Sequence, residues 1–364
     1  MVPNTDTNLP WRVMARLENG RVRVIDSGEA WAHFTRKRPR VTALWTEFPN
    51  HEGVAVFSRP DPPRNTLARA MQQNGVRTVA ETDDNYFCDS KHNLFLREFG
   101  YDAARITQHA KAMVRFDANV FSTVWLRDRY HRQYRDLFGN VGLPEMHVCR
   151  NHMPLAEWPA PADHDGPLRV GFMGSPSHVW DVNLAYAAIH AAHTLGCETV
   201  MIGYNPANPD PDKPDVLEID GQTVHTRSER SKAVRATWQR VVTTHVPWVA
   251  PENYHREPLP LDIGLCPLLY NDFTLGKSDV KSVEYSVSGA AVVAQNHPIY
   301  TQAGWVHERN CLLAGSQEEM GLATVRLIRD RKLRAELVQN AQAMVREQRN
   351  EEAMKREWRA ALGL

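Results

Sequence analysis

The sequence of 364 residues predicts an α/β protein with two doubly wound domains that face each other across a cleft. Three observations lead to this fold class. Short apolar runs typical of buried strands alternate with stretches whose apolar residues recur at the helical period. A proline-rich segment interrupts the alternation, and the same pattern then starts again. The length also suits two domains better than one.

The first half begins with a predicted hairpin and continues as alternating strands and helices. Asn19 and Gly20 stand inside "RVMARLENGRVRVID", and this dipeptide is a strong signal for a two-residue hairpin turn. Strands are predicted at 41–45, 53–58, 76–81, 118–123 and 146–151. Helices are predicted at 64–75 and 101–116. Alternation of this kind implies a mostly parallel, Rossmann-like sheet covered by helices.

The segment 153–167, "MPLAEWPAPADHDGP", is the predicted boundary between the domains, placed after residue 158. Beyond it the pattern predicts strands at 168–174, 197–204, 261–268 and 290–295. Helices are predicted at 180–196 and 228–241, with a loop at 205–222. The charged tail 320–362 is predicted to be helical, with a break near 329–332 or 347–351.

Composition excludes several classes of protein. No apolar run is long enough for a transmembrane helix, and the first residues lack the features of a signal peptide. Five widely spaced cysteines indicate reduced thiols, neither a disulfide framework nor a zinc site, so we expect a cytoplasmic protein. The net charge of +0 argues against strong nucleic-acid binding, although the basic cluster at 35–40 could meet an anionic acceptor.

A turn with a glycine follows the first strand of the second domain. In "RVGFMGSPSHVWDV" the strand ends near Gly174, and Ser175 and His178 precede a helix. Glycine permits close approach of a ligand, and the start of a helix offers free N–H groups and the positive end of its dipole. The segment is equally consistent with a phosphate-binding loop and with an ordinary strand-to-helix turn.

A short helix after the strand at 261–268 carries polar residues on its opening turns. Lys277 and Ser278 stand at its N-terminus, where an anion is favoured. Lys281 and Glu284 are three residues apart and share a face, so the carboxylate is placed to bind a ribose diol. The alternative is a helix with an ordinary surface Lys–Glu pair.

Acidic residues follow a buried strand of the first domain. Asp83 and Asp84 in "VAETDDNYF" lie where the strand at 76–81 ends, and His92 comes shortly after them. Carboxylates at such a position orient a hydroxyl, act as a base or bind a metal, and they equally serve to cap the next segment. Asp83, Asp84 and His92 are therefore candidate catalytic residues, and the residue pattern leaves these roles open.

Residues 261–345 resemble the nucleotide-sugar-binding domain of glycosyltransferases with the GT-B fold, close to family 4. The matching features run in order: the strand "LDIGLCPL", the segment "KSDVKSVEY", the run "SGAAVVA", then "NCLL" and the helix "DRKLRAEL". The loop "GSPSHVWD" and the segments "VAETDDNYF", "ANVFSTVWL" and "HVCRN" are similar to other parts of the family, so the resemblance covers roughly 41–345.

The resemblance implies transfer of a sugar from a nucleotide-sugar, carrying UDP or GDP, to a hydroxyl acceptor, with retention at the anomeric carbon. It implies that Glu284 holds the ribose and that Lys277 or Lys281, with the 174–178 loop, neutralises the diphosphate. No metal or other cofactor is implied. Domains are expected at 1–158 for the acceptor and 159–346 for the donor, with the helix at 347–364 packing back on the first domain.

The sequence departs from the family at two places. Gly276 stands where a sugar-contacting Glu is usual, and the loop after residue 174 lacks the usual Arg and Lys. These departures move the phosphate role to Lys277 and Lys281. Two alternatives stay open. One is a transferase acting on a polymer (protein, surface glycan or modified nucleic-acid base), where the basic cluster motivates the nucleic-acid option. The other, supported by Gly276, is a non-catalytic nucleotide-sugar-binding module. Lipids remain among the acceptors that the resemblance allows.

Overall fold

The structure is a computed structural model of the chain. It describes residues 15–18, 21–24, 54–58, 68–69, 72–73, 75, 77–88, 103–140, 142–152, 155, 158, 164–175, 178–207, 216–219, 222–225, 229–247 and 259–363. The predicted strand at 41–45, the basic cluster at 35–40, His92 and most of both the helix at 64–75 and the proline-rich segment lie outside the described residues.

Strands and helices alternate along most of the described chain. The strands are β1 Ala15–Glu18, β2 Arg21–Val24, β3 Val54–Ser58, β4 Arg77–Thr82, β5 Ala118–Phe121, β6 Glu145–Val148, β7 Arg169–Gly174, β8 Glu198–Gly203, β9 Val216–Ile219, β10 Gln222–His225, β11 Thr244–Val246, β12 Ile263–Cys266, β13 Ala291–Gln295 and β14 Leu312–Ala314. The helices are α1 Ala103–Met113, α2 Val124–Phe138, α3 Tyr186–Thr194, α4 Glu229–Gln239, α5 Val280–Val287, α6 Pro298–Thr301, α7 Gln317–Arg329, α8 Arg331–Gln348 and α9 Glu351–Leu362. Short 3₁₀ helices span Asp181–Ala185 and Thr274–Gly276.

The chain divides into two compact units, each made of several segments. The first unit contains residues 1–158, 270–280 and 344–364, and the second contains 159–269 and 281–343. The segment 270–280 therefore belongs to the first unit although residues of the second precede and follow it. The periodicity of the sequence does not indicate this exchange.

A parallel sheet with the order β3-β4-β5-β6 forms the centre of the first unit. The described side chains of β4 after its first residue, and all of those of β5, are buried, as expected for strands covered on both faces. The predicted hairpin is confirmed, because β1 and β2 pair antiparallel on either side of Asn19 and Gly20. The predicted helix at 101–116 is also confirmed, as α1.

The sequence reading missed α2. The helix begins after Thr123, whose hydroxyl accepts a hydrogen bond from the backbone N–H of Leu126, and it ends at Gly139. Its buried face consists of Leu126, Tyr130 and Tyr134, spaced four residues apart. Two of these three are tyrosines among many charged residues, so the apolar stripe that marks a helix is weak in the sequence.

The terminal helix α9 packs on the sheet of the first unit. Met354 and Trp358 are buried in the same hydrophobic core as β4 and β5. The Glu357 carboxylate accepts hydrogen bonds from the backbone N–H of Arg150, at 2.7 Å, and from its guanidinium Nε, at 2.8 Å. The carboxyl-terminal segment is thus part of the first unit.

The second unit has a six-stranded parallel sheet with the order β11-β8-β7-β12-β13-β14. Numbered from its first strand, this order is 3-2-1-4-5-6, the arrangement of doubly wound nucleotide-binding domains. The direction of winding reverses between the neighbouring strands β7 and β12. In such sheets ligands bind beyond the carboxyl ends of the strands at this point of reversal.

The predicted strands and helices of the second unit are found, but β14 and α6 were not predicted, and the region after β8 differs from the prediction. The loop predicted at 205–222 includes β9, which pairs antiparallel with β10, and the short strand β11 was not predicted. Both β9 and β10 lie in a Pro- and Asp-rich region whose composition favours loops. The helical tail breaks at both predicted joints, after Arg329 and after Gln348.

All five cysteines are buried, as predicted, and none forms a disulfide bond in the structure. Burial raises the pKa of Cys88 to about 12, with the nearby carboxylates of Asp272 and Asp84 acting in the same direction. None of the helices in the described part of the chain is long and apolar enough to cross a membrane.

Candidate functional site

The turn after β7 requires a glycine for steric reasons. A Cβ atom on Gly174 would lie 2.6 Å from Cζ and 2.8 Å from Cε1 of Phe172, closer than packed carbon atoms approach. The carbonyl of Ser175 accepts a hydrogen bond from the backbone N–H of His178 at 3.0 Å. These contacts close the turn and place His178 beyond the carboxyl end of β7, at the reversal of the sheet.

Three side chains form a row at this position in the second unit. Lys281 Nζ lies 2.8 Å from His178 Nε2, and His178 Nδ1 lies 2.7 Å from Asp181 Oδ2. The other oxygen of Asp181 accepts a hydrogen bond from the backbone N–H of Leu269, at 2.9 Å. The row therefore joins the segments that leave β7 and β12, because Leu269 and Lys281 both follow β12 in the chain.

The sequence reading named His178 and Lys281 but missed Asp181. The available signal was an Asp three residues after the His, in the first turn of a helical segment, where such a pair shares one face. Phe172 of β7 packs below the row, with its ring centroid 5.7 Å from Lys281 Nζ. An ammonium group near the face of an aromatic ring is favourably placed, so the ring helps to hold Lys281.

Glu284 lies three residues beyond Lys281 on α5 and is fully buried, at 0% exposure. The helix is fixed at this level by Tyr285, whose hydroxyl accepts a hydrogen bond from the backbone N–H of Met173 at 2.7 Å. Gly264 of β12 provides the room for that ring, since a Cβ there would lie 2.3 Å from Tyr285 Cδ2. The predicted contact of Glu284 with a ribose stays a prediction.

His297 is a further titratable group of the second unit, and the sequence reading did not name it. It lies at the start of α6, where its Nδ1 accepts a hydrogen bond from the backbone N–H of Ile299 at 3.3 Å. Burial lowers the pKa of His297 to about 4, although the charge of Asp181 acts in the opposite direction. The imidazole is therefore neutral near pH 7.

In the first unit, the structure brings Asp84 and Lys277 together. Lys277 Nζ lies 2.5 Å from Asp84 Oδ1 and 4.3 Å from the ring centroid of Phe273. Both side chains are mostly buried, with 22% and 17% exposure for Lys277 and Asp84. The Lys277 ammonium group therefore faces the Asp84 carboxylate directly. Asp83, the neighbouring carboxylate, is buried.

A hydrogen bond from a buried tyrosine holds the backbone of Asp84 in place. Tyr130 of α2 donates its hydroxyl hydrogen to the carbonyl of Asp84 at 3.1 Å, and His109 Nε2 lies 3.0 Å from the same hydroxyl. Burial raises the pKa of Tyr130 far above its usual range, so the hydroxyl keeps the hydrogen that it donates. The helix that the sequence reading missed therefore positions a predicted site residue.

Gly276 packs directly against the acidic segment. A Cβ atom at this position would lie 2.7 Å from the Cβ of Asn85 and 3.2 Å from its backbone nitrogen. The side-chain amide of Asn85 donates to the carbonyl of Asp272 at 2.8 Å, which joins the two segments. The glycine that replaces the expected Glu thus has a steric cause: no side chain fits at residue 276 in this packing.

Ser278 and Asp279 are held by a polar network within the first unit. Ser278 Oγ accepts a hydrogen bond from Asn151 Nδ2 at 2.6 Å. Asp279 Oδ2 pairs with Arg349 Nη2 at 2.8 Å, and the two side chains are only 4% and 1% exposed. These contacts anchor the segment that carries Lys277. The sequence reading missed Arg349, which no local pattern marks in the charged tail.

The predicted site residues therefore fall into two groups. Asp83, Asp84, Lys277 and Ser278 belong to the first unit, whereas Gly174, Ser175, His178, Lys281 and Glu284 belong to the second. His92 lies outside the described residues. Within the part of the chain that the structure describes, no cluster of three or more His, Cys, Asp or Glu side chains is placed to hold a metal ion.

No protein-family model matches the sequence, and no curated protein matches it either. Solved structures do match the fold. HepE of Anabaena in complex with UDP has a TM-score of 0.59 and 13% identity, over 88% of this chain and 80% of that chain. Sucrose-phosphate synthase of Thermosynechococcus elongatus has a TM-score of 0.58 and 12% identity, over 98% of this chain and 85% of that one.

A third match is the UDP-forming α,α-trehalose-phosphate synthase of Burkholderia vietnamiensis. It has a TM-score of 0.54 and 11% identity, over 85% of this chain and 72% of that chain. At such identities a likeness establishes the fold alone. The resemblance read from the sequence is confirmed at this level: the chain has two α/β units with parallel sheets, and its fold is the GT-B fold of these glycosyltransferase structures.

Proposed function

We propose that the protein is a glycosyltransferase that moves a sugar from a nucleotide-sugar to a hydroxyl acceptor. The observation that carries this proposal is the row Asp181–His178–Lys281 beyond the carboxyl ends of β7 and β12. In a sheet of this order that is the place where nucleotides bind, and the row offers a cation there for a diphosphate. The matching structures support UDP as the nucleotide, because HepE was solved with UDP and with UDP-glucose.

Residues of the second unit would hold the donor. Lys281 neutralises the diphosphate, with His178 beside it, and the backbone around Gly174 and Ser175 approaches the phosphates closely because the glycine leaves room. Glu284, one turn further along α5, accepts hydrogen bonds from the ribose diol. Stabilising a departing diphosphate is electrostatic work that a preorganised ammonium group performs well.

Residues of the first unit would act on the acceptor. Asp84, which faces the Lys277 ammonium group, accepts a hydrogen bond from the acceptor hydroxyl and orients its oxygen for attack. Asp83 supports this carboxylate, and His92 stays a candidate for the same role. We therefore propose that Lys277 mainly holds Asp84. The sequence analysis also gave it a possible role in neutralising the diphosphate.

The finer features of the reaction form part of the proposal. We expect retention at the anomeric carbon, with the leaving phosphate helping to remove the proton from the acceptor hydroxyl. We also expect transfer without a metal ion, because Lys281 and the N–H groups of the loop supply the positive charge. The expected compartment is the cytoplasm, where nucleotide-sugars and reduced cysteines are both found.

A nucleotide-sugar-binding module without activity is the second candidate. Gly276 favours it, since no carboxylate stands where the related family places a sugar contact. Transfer or hydrolysis of any donor would exclude this reading. Binding without either reaction would support it.

A thermal-shift screen against UDP-, GDP-, ADP- and CMP-sugars tests the proposal. A donor present at 100 times its Kd should stabilise the native protein by about 2.7 kcal/mol, which raises the Tm by several degrees. Lys281→Met should reduce the shift to about half or less at the same donor concentration, whereas Lys332→Met, an exposed lysine on α8, should leave it intact. The proposal is wrong if no nucleotide-sugar changes the Tm of the unmodified protein.

The class of the acceptor is then tested in transfer assays that use the donor found in that screen. A polymer acceptor such as a nucleic acid would lose affinity steeply with added salt, because binding releases counterions from its phosphates. A neutral glycan would show a flat response. Product formation measured at two salt concentrations separates these acceptors.

A further inference from the structure

His178 stands between an ammonium group and a carboxylate, and this arrangement determines where its proton lies. Lys281 Nζ, 2.8 Å from His178 Nε2, has only hydrogens to donate, so Nε2 must accept with its lone pair. The single ring proton is therefore on Nδ1 and is donated to Asp181 Oδ2, at 2.7 Å. In this state the imidazole is neutral.

A diphosphate at Lys281 would change this balance. Phosphate oxygens carry more negative charge than an imidazole lone pair, so the ammonium group binds them in preference. His178 Nε2 then no longer faces the cation, while the Asp181 carboxylate on the other side of the ring favours an imidazolium ion. A protonated Nε2 also donates to a phosphate oxygen, so the imidazolium lies between two anions.

We propose that this site takes up one proton at His178 Nε2 when a nucleoside-diphosphate compound binds, so that its affinity rises as the pH falls through neutrality. The inference rests on the proposed function, because it requires a diphosphate at Lys281. The proton comes from solvent and forms one N–H bond. The bond that breaks is the one between this proton and its donor, a hydronium ion or a buffer acid, and no bond of the ligand changes.

Among the described residues, groups from several neighbouring elements bear on this proton. Asp181 faces the ring from its 3₁₀ helix, and Lys281 faces it from α5. The strand β7 presents Phe172, whose ring centroid is 6.3 Å from that of His178. At the start of α6, burial lowers the pKa of His297 to about 4, and the charge of Asp181 opposes this shift only in part. It therefore stays neutral at the pH values of the test.

Isothermal titration calorimetry with UDP-glucose tests the proposal. Each phosphate of this probe carries one ester bond and the shared anhydride bond, so it lacks the ionisation near pH 6 of a terminal phosphate. The binding enthalpy is measured near neutral pH in two buffers with different enthalpies of ionisation. We expect the difference to correspond to uptake approaching one proton for each ligand. The affinity should also rise as the pH falls, with a limit of about tenfold per pH unit.

Two variants separate recognition from proton uptake. His178→Gln still offers an amide hydrogen to a phosphate but has no titration, so uptake should fall close to zero. His164→Gln is the matched control, because His164 also contacts a carboxylate, Asp262 at 2.9 Å, from a segment ahead of β7. This control should take up the same number of protons as the unmodified protein.

The outcomes distinguish the two proposals. Binding whose enthalpy is the same in both buffers overturns the proton uptake and leaves the proposed function standing. Equal loss of uptake in the His178 and His164 variants overturns its assignment to His178. If neither UDP-glucose nor any other nucleotide-sugar binds, the proposed function is wrong, and the inference falls with it.

Discussion

Lys277 and Lys281 stand four residues apart in the sequence, yet they belong to different units and have different partners. Lys277 contacts the carboxylate of Asp84, so its charge is balanced at once by an opposite charge. Lys281 contacts the imidazole of His178, at the position where we propose that the diphosphate binds. The comparison teaches that the partner of a lysine, more than its place on a helix, indicates what the lysine does.

The largest effect is expected when the anchor of the Lys277 segment is removed. Arg349→Met leaves the Asp279 carboxylate buried without its charged partner, which costs about 3–5 kcal/mol of unfolding free energy. Urea denaturation measures the loss, and Arg346→Met on the exposed side of α8 is the control. A loss below about 1 kcal/mol would mean that the pair does not anchor the segment.

Replacing each lysine by Met tests the comparison itself. Lys281→Met should weaken nucleotide-sugar binding by about 1.5–3 kcal/mol, the usual range for a hydrogen bond to a charged group. Lys277→Met should change this affinity by less than about twofold while it lowers the rate of transfer, because its charge serves Asp84. Calorimetry and an activity assay give both values. Equal losses of affinity would show that the two lysines share one role.

Asp84→Asn tests the same separation of donor binding from transfer by changing the partner of Lys277. We expect a loss of transfer of about 10- to 100-fold, because an amide orients the acceptor hydroxyl less strongly than an ionised carboxylate. Donor affinity should stay unchanged, since the phosphate contacts are assigned to the second unit. Kinetics at saturating donor, together with donor titration, check this. A parallel fall in donor affinity would point to a purely structural Asp84.

Gly276→Ala tests the packing beside Lys277. The added Cβ would lie 2.7 Å from the Cβ of Asn85, so the acidic segment must shift, at a cost of about 1–3 kcal/mol. Gly166→Ala is a matched control, because its nearest neighbour would be 3.4 Å away, an ordinary contact. Denaturation curves of both variants give the difference. Equal stability of the two would remove the steric reason for the glycine.

The last prediction concerns pH. His297 has a pKa lowered to about 4 in the folded protein, mainly by burial, against about 6.5 in the unfolded chain. Its contribution to stability is thus fully present above about pH 6.5 and is lost as the pH falls toward 4, because the unfolded chain binds the proton first.

His297→Asn should reduce this dependence, since Asn also caps α6 but does not titrate. The unfolding free energy is compared at about pH 7 and about pH 5. His190→Asn, on the exposed face of α3, is the control and should keep the full dependence. If the unfolding free energy of the His297 variant still falls by the same amount between these two pH values, the pH dependence does not come from His297.

Much of the fold follows from local patterns. The alternation of strands and helices predicts both parallel sheets, because runs such as those of β4 and β7 are apolar and bounded by turn residues. The breaks of the tail also follow, since Asp330 and Asn350 end or cap helices. The elements that the sequence did not predict depend on long-range packing. Tyr130 and Tyr134 reveal α2 only once they are buried, and β11 exists only beside β8.

The candidate site shows the same limit. Residues next to strand ends, such as His178 and Asp84, could be named from the sequence, because parallel sheets place ligands there. The partners of such residues could not be predicted, because they are distant in the sequence. Asp84 is 193 positions from Lys277, and Asp279 is 70 positions from Arg349. The meaning of Gly276 likewise depended on Asn85, which no spacing rule connects with it.

The exchange of segments between the units bears on how the protein can be divided. The chain passes from one unit to the other after residues 158, 269, 280 and 343, so a single cut releases neither unit whole. A fragment ending at residue 158 would lack Trp358, which fills its core, and the segment that carries Lys277. Such a fragment should expose apolar surface and aggregate. Modular exchange of whole units, by recombination or in the laboratory, would require several simultaneous junctions.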